Sequence, residues 1–335
     1  MDARGGRGGV RLSVLVPAYN EAASLPALVE AVRAAAAPLA PGAYEILIVD
    51  DGSTDGSAAL LEQLADRHPE LGVLRLGRNY GKSAALAEGF RRCRGEIIVT
   101  LDADLQDDPD ELPRLVAALD AAPGWDLVSG WKRERRDPIT KTVPSRFWNA
   151  LVRRVSGLPL HDFNCGFKAY RREVAQSLRL YGEMHRYLPV LAAWDGFRVT
   201  ELAVNHRPRA HGKSKYGGRR FLNGLFDLLT ISFIARRGAA PLHFFGRVAV
   251  WLLAIGLLIN LYFGVAWLVT GALRVRPLLI LGLILLVLGG QFASLGLLGE
   301  LMIHLRGPGD EERRRIARER PPRLASGDGP GAHGE

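Results

Sequence analysis

The sequence predicts an α/β protein: a doubly wound, mostly parallel sheet followed by two helices that span a membrane. Three observations predict it. Between residues 11 and 100, short apolar runs alternate with amphipathic stretches in a βαβαβαβ order, the pattern of parallel strands joined by crossover helices. One of these runs, "YEILIVDD" (44–51), reads as a continuous apolar strand, as expected where both faces of a sheet are covered. Near the other end, Val248–Leu273 and Leu278–Leu298 carry no charged residue. Each exceeds the roughly 20 residues that a helix needs to cross the hydrocarbon core.

The elements follow in order. "RLSVLVPAYN" (11–20) is a strand running into a loop. "SLPALVEAVRAAAA" (24–37) is a helix, with Ser24 as N-cap and Pro26 in the first turn. "GSAALLEQLADRH" (56–68) is the next helix, "GVLRLG" (72–77) a strand, "GKSAALAEGFRRC" (81–93) a helix and "EIIVTLDAD" (96–104) a strand. Beyond Trp125, "WDLVSGWKR" (125–133) reads as a strand and "PSRFWNALVRRVSG" (144–157) as an amphipathic helix. Residues 219–246 mix Phe, Leu and Ile with Arg, which suits helices lying in a membrane interface. The organisation expected is a disordered N-terminus (1–10), an α/β domain (11–218), amphipathic juxtamembrane helices (219–246), a transmembrane hairpin (247–304) and a disordered tail (305–335).

Charge and composition narrow the classes. The formal charge is +9, which suits nucleic acid, an anionic membrane surface or an anionic substrate. Basic charge without interleaved aromatics argues against nucleic acid. The two cysteines, Cys93 and Cys165, are far apart and form no CxxC, which excludes a disulfide scaffold and a zinc ribbon and fits a reducing compartment. "MDARGGRGGV" has no apolar stretch, so no secretory signal is expected. The four residues between the apolar runs force a tight antiparallel hairpin with both flanks on one side. Arg219, Arg220, Arg236, Arg237 and Arg247 precede it, and Arg306, Arg313, Arg314 and Arg315 follow, against only Arg274 and Arg276 in the link. The positive-inside bias then places the large domain and the tail in the cytoplasm. "GLLINLYFG" and "GLILLVLGG" offer small residues for close helix packing and leave a homo-oligomer open.

The chemistry concentrates in "TLDADLQDDPDEL" (100–112). Asp102 and Asp104, expected to close a strand, project to one side at period two. Paired hard oxygens suit Mg²⁺ or Mn²⁺, and Gln106 can add a neutral oxygen. Asp108, Pro109 and Glu111 read instead as N-cap, first helical residue and capping-box partner, with Asp107 and Asp110 at the positive end of the same helix. "GRNYGKS" (77–83) has one residue too few for a phosphate-binding Walker loop, and "GGRGGV" follows no strand.

A D-x-D is common in surface loops; its company makes this one specific. "VPAYNE" (16–21), "VDDGSTDGS" (49–57), "NYGKSAALAEG" (79–89) and "LDADLQDDP" (101–109) occur in this order. Together they resemble the family 2 glycosyltransferases of GT-A fold, across residues 11 to 220. "HDFNCGFKAYRRE" (161–173), "EMHRYLP" (183–189) and "HGKSKYG" (211–217), followed by two spans, are similar to the polyprenyl-phosphate branch of that family. The resemblance implies inverting transfer of one sugar from a UDP- or GDP-linked donor to a polyprenyl phosphate of undecaprenyl, decaprenyl or dolichyl type at the cytoplasmic face. It implies that Pro17, Tyr19 and Glu21 line the nucleotide and that Asp50 and Asp51 read base and ribose. Lys82, Asp102, Ala103 and Lys132 join the donor contacts, and a Mg²⁺ or Mn²⁺ ion is held by Asp102, Asp104 and Gln106. Asp104, Asp162, Arg209 and Lys215 are expected at the reacting groups, with Arg207 and Lys213 nearby. A phosphate monoester has a second pKa near 6 and is largely dianionic at pH 7. It attacks without a general base, so Asp162 is expected to orient substrate rather than take a proton. Some relatives carry Arg where this chain has Lys132, and Lys supplies the charge without the fork. A processive polysaccharide synthase is disfavoured because no Q-x-x-R-W occurs. A non-catalytic scaffold or flippase is disfavoured because the acidic pairs are intact.

Overall fold

The computed structural model describes residues 9–133, 149–180, 182–205, 207, 241–271, 276–305 and 316–320. These belong to two compact units: an α/β unit and a helical unit within residues 230–310.

The α/β unit is built on strands β1 (Leu12–Ala18), β2 (Tyr44–Asp50), β3 (Leu71–Leu76), β4 (Ile97–Thr100), β5 (Leu127–Lys132), β6 (Lys168–Arg171), β7 (Val199–Val204) and β8 (Ile316–Arg320). They form one sheet in the order β7-β5-β6-β4-β1-β2-β3-β8. The pairings β1–β2, β1–β4, β2–β3 and β5–β7 are parallel; β4–β6, β5–β6 and β3–β8 are antiparallel. The helices are α1 (Leu25–Ala36), α2 (Ser57–Arg67), α3 (Lys82–Arg92), α4 (Leu112–Asp120), α5 (Arg172–Ser177) and α6 (Leu188–Trp194). Residues 149–156 are also helical.

Side-chain alternation divides the core between two faces. Leu12, Val14 and Val16 of β1 and Ile46 and Ile48 of β2 pack with Leu28 and Val32 of α1, Leu61 of α2 and Leu115 of α4. Leu15 points the other way, onto α3, where any side chain at Gly89 would overlap it. The run "YEILIVDD" hides three charges, Glu45, Asp50 and Asp51. Glu45 is buried, and it accepts hydrogen bonds from Ser13 Oγ (2.6 Å), the Arg94 amide (2.7 Å) and Arg94 Nε (2.8 Å). A buried carboxylate is tolerable only with such partners.

Three local expectations are corrected. Ser24 precedes α1 but caps nothing; its hydroxyl donates back to the Glu21 carbonyl (3.0 Å) and to Glu21 Oε2 (3.2 Å). Asp108 does cap the turn that opens α4, accepting the Asp110 amide at 3.1 Å, but Glu111 turns away to pair with Arg114 and closes no capping box. Ile316–Arg320, inside the stretch expected to be disordered, is strand β8. It covers the edge of β3, whose backbone donors and acceptors would otherwise face water. Strand β6 was not foreseen, because "KAYR" is short and carries two charges.

The helical unit holds α7 (Pro241–Thr270) and α8 (Pro277–Leu305). Their spans, Leu242–Thr270 and Pro277–Gly299, have mean hydropathies of 2.2 and 2.4 and are only 17% and 11% buried, so they are not core helices of a soluble domain. Helix α7 is about 45 Å long at 1.5 Å per residue, enough to cross a bilayer. The two helices run antiparallel: Gly289 meets Leu253, Gly282 meets Ile259 and Asn260, and Gly296 meets Leu242 and Phe245. Small residues let the backbones approach, and a Cβ on Gly256 would lie 2.8 Å from the Gly282 carbonyl oxygen. The Asn260 amide donates to the Gly256 carbonyl at 2.7 Å, which satisfies a polar group at membrane depth. The expected juxtamembrane helices lie outside the described residues up to position 240; from Pro241 the chain is already in α7.

Candidate active site

The carboxyl ends of β1, β2 and β4 converge, and the loops leaving them are tied to one another. Asn20, in the left-handed region at φ 56°, donates its amide to Ser53 Oγ (2.9 Å) and accepts the Thr54 amide on its side chain (2.8 Å). The Glu21 amide donates to Ser57 Oγ at 3.2 Å and the Ala22 amide to Asp55 at 3.1 Å. From the other side, both carboxylate oxygens of Asp51 accept backbone amides, of Tyr80 at 2.7 Å and of Gly81 at 2.8 Å. Burial raises the Asp51 pKa against the pull of these two amides. Gly52, at φ 71°, lies so close to the Arg78 backbone that no Cβ fits.

These loops enclose an open cleft of about 210 Å³. Pro17, Tyr19, Glu21 and Asp51 line it. Lys82, Asp102, Ala103 and Asp104 line it as well. Eight of the residues singled out in the sequence thus share one surface. The expected acidic pair is divided: Asp51 faces the cleft, whereas Asp50 is fully buried, accepts the Ser53 amide at 2.9 Å and has Arg75 Nε 3.6 Å from its other oxygen.

Asp102 and Asp104 reach the cleft by a route that period two did not anticipate. Strand β4 ends at Thr100, so both sit on a turn, with Leu105 in the left-handed region at φ 61°. Asp104 Oδ1 accepts the Gln106 amide at 3.2 Å. Asp102 forms an ion pair with Lys82. Burial works to raise the Asp102 pKa, but the ammonium of Lys82, and behind it Lys132, outweigh burial and hold it at about 2. The carboxylate has room only because residue 166 is glycine: a Cβ there would lie 2.5 Å from Asp102 Oδ1 and 2.7 Å from Cγ. Gly166→Ala should therefore displace Asp102 and lower the activity of the site by about 10²-fold, since an ångström of misplacement costs that much. Steady-state rates beside an unchanged far-UV spectrum check it.

Lys132 was expected at a substrate phosphate. Its ammonium instead lies 3.1 Å from Oδ1 of buried Asp107, and that charge raises its pKa although burial pulls it down. Asp107 was expected on the positive end of a helix; its other oxygen accepts the Asp102 amide at 3.2 Å. The pair ties β5 to the turn that presents Asp102. Arg207 is likewise engaged, with Asp108 at 2.7 Å, while its amide donates to the Gln106 carbonyl at 2.8 Å. The Gln106 side chain is not among the residues lining the cleft. Asp162 is buried and accepts the Asn164 amide at 3.1 Å. His161 beside it stacks on Trp131 with ring centroids 4.3 Å apart and pairs with Glu201. Arg209, Lys213 and Lys215 lie outside the described residues.

The sequence reading missed Lys168 and His185. Both line a small enclosure beside Asp102, about 10 Å³, room for one water. Lys168 is buried in β6, donates to the Cys165 carbonyl, and burial lowers its pKa. His185 shares a 3.0 Å hydrogen bond with Ser83 Oγ and is held neutral, its pKa lowered by burial and then by Lys82. Cys93 and Cys165 are buried free thiols, and burial pushes Cys165 up to about 12, so neither is a nucleophile.

The glycosyl transferase family 2 model matches residues 13–179. A dodecaprenyl-phosphate galacturonate synthase of Rhizobium johnstonii is 38% identical over 298 residues, covering 88% of this chain and 88% of that protein. The chain belongs to glycosyl transferase family 2. An undecaprenyl-phosphate 4-deoxy-4-formamido-L-arabinose transferase of Pseudomonas aeruginosa is 40% identical over 300 residues, covering 87% of this glycosyltransferase and 84% of the relative. Among solved structures, glucosyl-3-phosphoglycerate synthase of Mycobacterium tuberculosis superposes with a TM-score of 0.53 at 24% identity, covering 67% of this chain and 80% of that one. That likeness bears on the fold of the α/β unit. The GT-A reading of the sheet therefore holds, and the chain is an enzyme.

Proposed function

We propose that this glycosyltransferase moves a single sugar, with inversion, from a nucleotide-sugar to a polyprenyl phosphate at the cytoplasmic face of the membrane. The observation that carries the proposal is the cleft, lined together by Asp51, the residues after β1, Asp102 and Asp104. The two apolar spans and the polyprenyl-phosphate acceptors in the names of both relatives supply the lipid side.

The donor set fits a hard divalent cation. Asp102 and Asp104 lie two residues apart at one open cleft, Gly166 leaves room for the Asp102 carboxylate, and no soft ligand lies among the lining residues. Among the described residues no third acidic, His or Cys side chain joins them, so water and phosphate oxygens would complete the shell. Asp102 and Asp104 would hold Mg²⁺ or Mn²⁺, which when bound neutralises charge on the departing diphosphate. The other steps belong to the chain. Pro17, Tyr19 and Glu21 seat the nucleotide against the end of β1. Asp51 holds the Tyr80–Gly81 backbone in place beside it. The acceptor phosphate supplies its own nucleophilic oxygen, and Arg209 and Lys215 are proposed to hold it against the donor. Asp162, bound to the Asn164 amide, orients its loop. The displacement is in line at the anomeric carbon through an oxocarbenium-like state.

The full chain in detergent, given UDP- and GDP-sugars, Mn²⁺ and undecaprenyl phosphate, should yield lipid-linked sugar and free nucleoside diphosphate, and EDTA should stop it. No turnover from any donor in the panel would refute the proposal. Asp162→Asn should keep at least about a tenth of wild-type kcat, because a dianionic phosphate needs no base; a loss of about 10³-fold would make Asp162 the base.

A further inference from the structure

We propose that Lys82 is an exchangeable counter-ion that couples cation binding to nucleotide binding: its ammonium holds Asp102 until a nucleoside diphosphate draws it away. This rests on the site reading given above and assigns a second partner to a residue of that same site.

The geometry puts Lys82 at the junction. Its ammonium pairs with Asp102 Oδ1, one of the oxygens that a divalent cation would need. The side chain lines both the cleft and the one-water enclosure beside it. Its backbone cannot follow a moving head group. Lys82 opens α3 directly after Gly81, whose amide is held by Asp51, and the next residue, Ser83, accepts the His185 amide at 3.0 Å. Only the flexible four-carbon stem is left to move, and the side chain is 30% exposed on the cleft side.

Two cations cannot share one carboxylate oxygen without strong repulsion in a partly buried site. A divalent ion arriving alone must therefore strip Lys82 from Asp102 and leave its ammonium beside the ion. A diphosphate arriving with the ion offers the ammonium a new anion within reach, and the displacement is compensated. Lys168 and Lys132 do not take this part: Lys168 is buried on the Cys165 carbonyl, and Lys132 is committed to Asp107. Linkage makes the effect reciprocal, so the ion tightens nucleotide as much as nucleotide tightens the ion.

Mn²⁺ binding by electron paramagnetic resonance tests this on the full chain in detergent, with and without UDP and, in parallel, GDP. For the wild type, the preferred nucleoside diphosphate should tighten Mn²⁺ binding by at least about tenfold, within the range of ordinary coupling. In Lys82→Gln, Mn²⁺ without nucleotide should bind about fivefold or more tighter, and the nucleotide effect should shrink below about threefold. Lys82→Arg, which keeps the charge, should stay weak for Mn²⁺ alone. Unchanged or weaker nucleotide-free Mn²⁺ binding in Lys82→Gln, beside normal nucleotide-dependent binding in the wild type, overturns the coupling role and leaves the metal reading standing. No Mn²⁺ binding by the wild type, even with nucleotide, overturns both.

Discussion

Asp104→Asn is expected to lower sugar transfer by about 10³-fold, with the fold intact. The magnitude follows from what the residue is asked to supply: stabilisation of charge developing on a diphosphate leaving group, a contribution of about 4 kcal/mol for one well-placed electrostatic partner. Asp104 is the cleaner test of the pair. Its Oδ1 accepts a nearby backbone amide, Gln106 at 3.2 Å, and the carboxamide of Asn can accept the same bond. At Asp102 the same change would also strip Lys82 of its partner and disturb the packing against Gly166. The measurement is kcat with saturating Mn²⁺ and donor, beside a thermal melt. Activity within tenfold of wild type would show that Asp104 does not serve the leaving group.

Lys132→Met should cost about 3 kcal/mol of stability, because it leaves the Asp107 carboxylate buried and unpaired. For a unit of this size that is a fall of roughly 6–12 °C in the melting temperature. Adding Asp107→Asn should recover much of the loss, since an amide costs far less to bury than a lone charge. The double variant separates the two roles given to Lys132. A lysine that held substrate phosphate would leave the melt unchanged, raise KM for donor or acceptor, and gain nothing from Asp107→Asn. The Lys132–Asp107 contact predicts the reverse order of effects.

That contact also shows where sequence reading reached its limit. The segment "DADLQDDP" announced acidic chemistry, and Asp102 and Asp104 do face the cleft. Along the chain, however, Asp107 looks the same as Asp108: both precede Pro109 at the start of a helix. One caps the turn that opens α4 and the other is a counter-ion to Lys132, and the difference is set by strand β5, which brings Lys132 from 25 positions away in sequence. Lys168 and His185 were missed for a similar reason. Nothing local distinguishes a lysine in "KAYR" from its arginine neighbours until β6 is placed between β4 and β5. β8 was read as disordered because its composition is charged; pairing with an open edge depends on backbone groups that composition does not report.

By itself the sequence determined the alternation of strands and crossover helices, the two spans, and the placing of Glu21, Asp51, Asp102 and Asp104 at strand ends; the family resemblance added Pro17, Tyr19 and Lys82. It could do so because hydrophobic period and motif spacing are local and the βαβ connection has one handedness. Only the tertiary structure decided which charges are spent on one another: Lys82 on Asp102, Lys132 on Asp107, Arg207 on Asp108. Pairing energy depends on distance and burial, and both are set by segments remote in the chain.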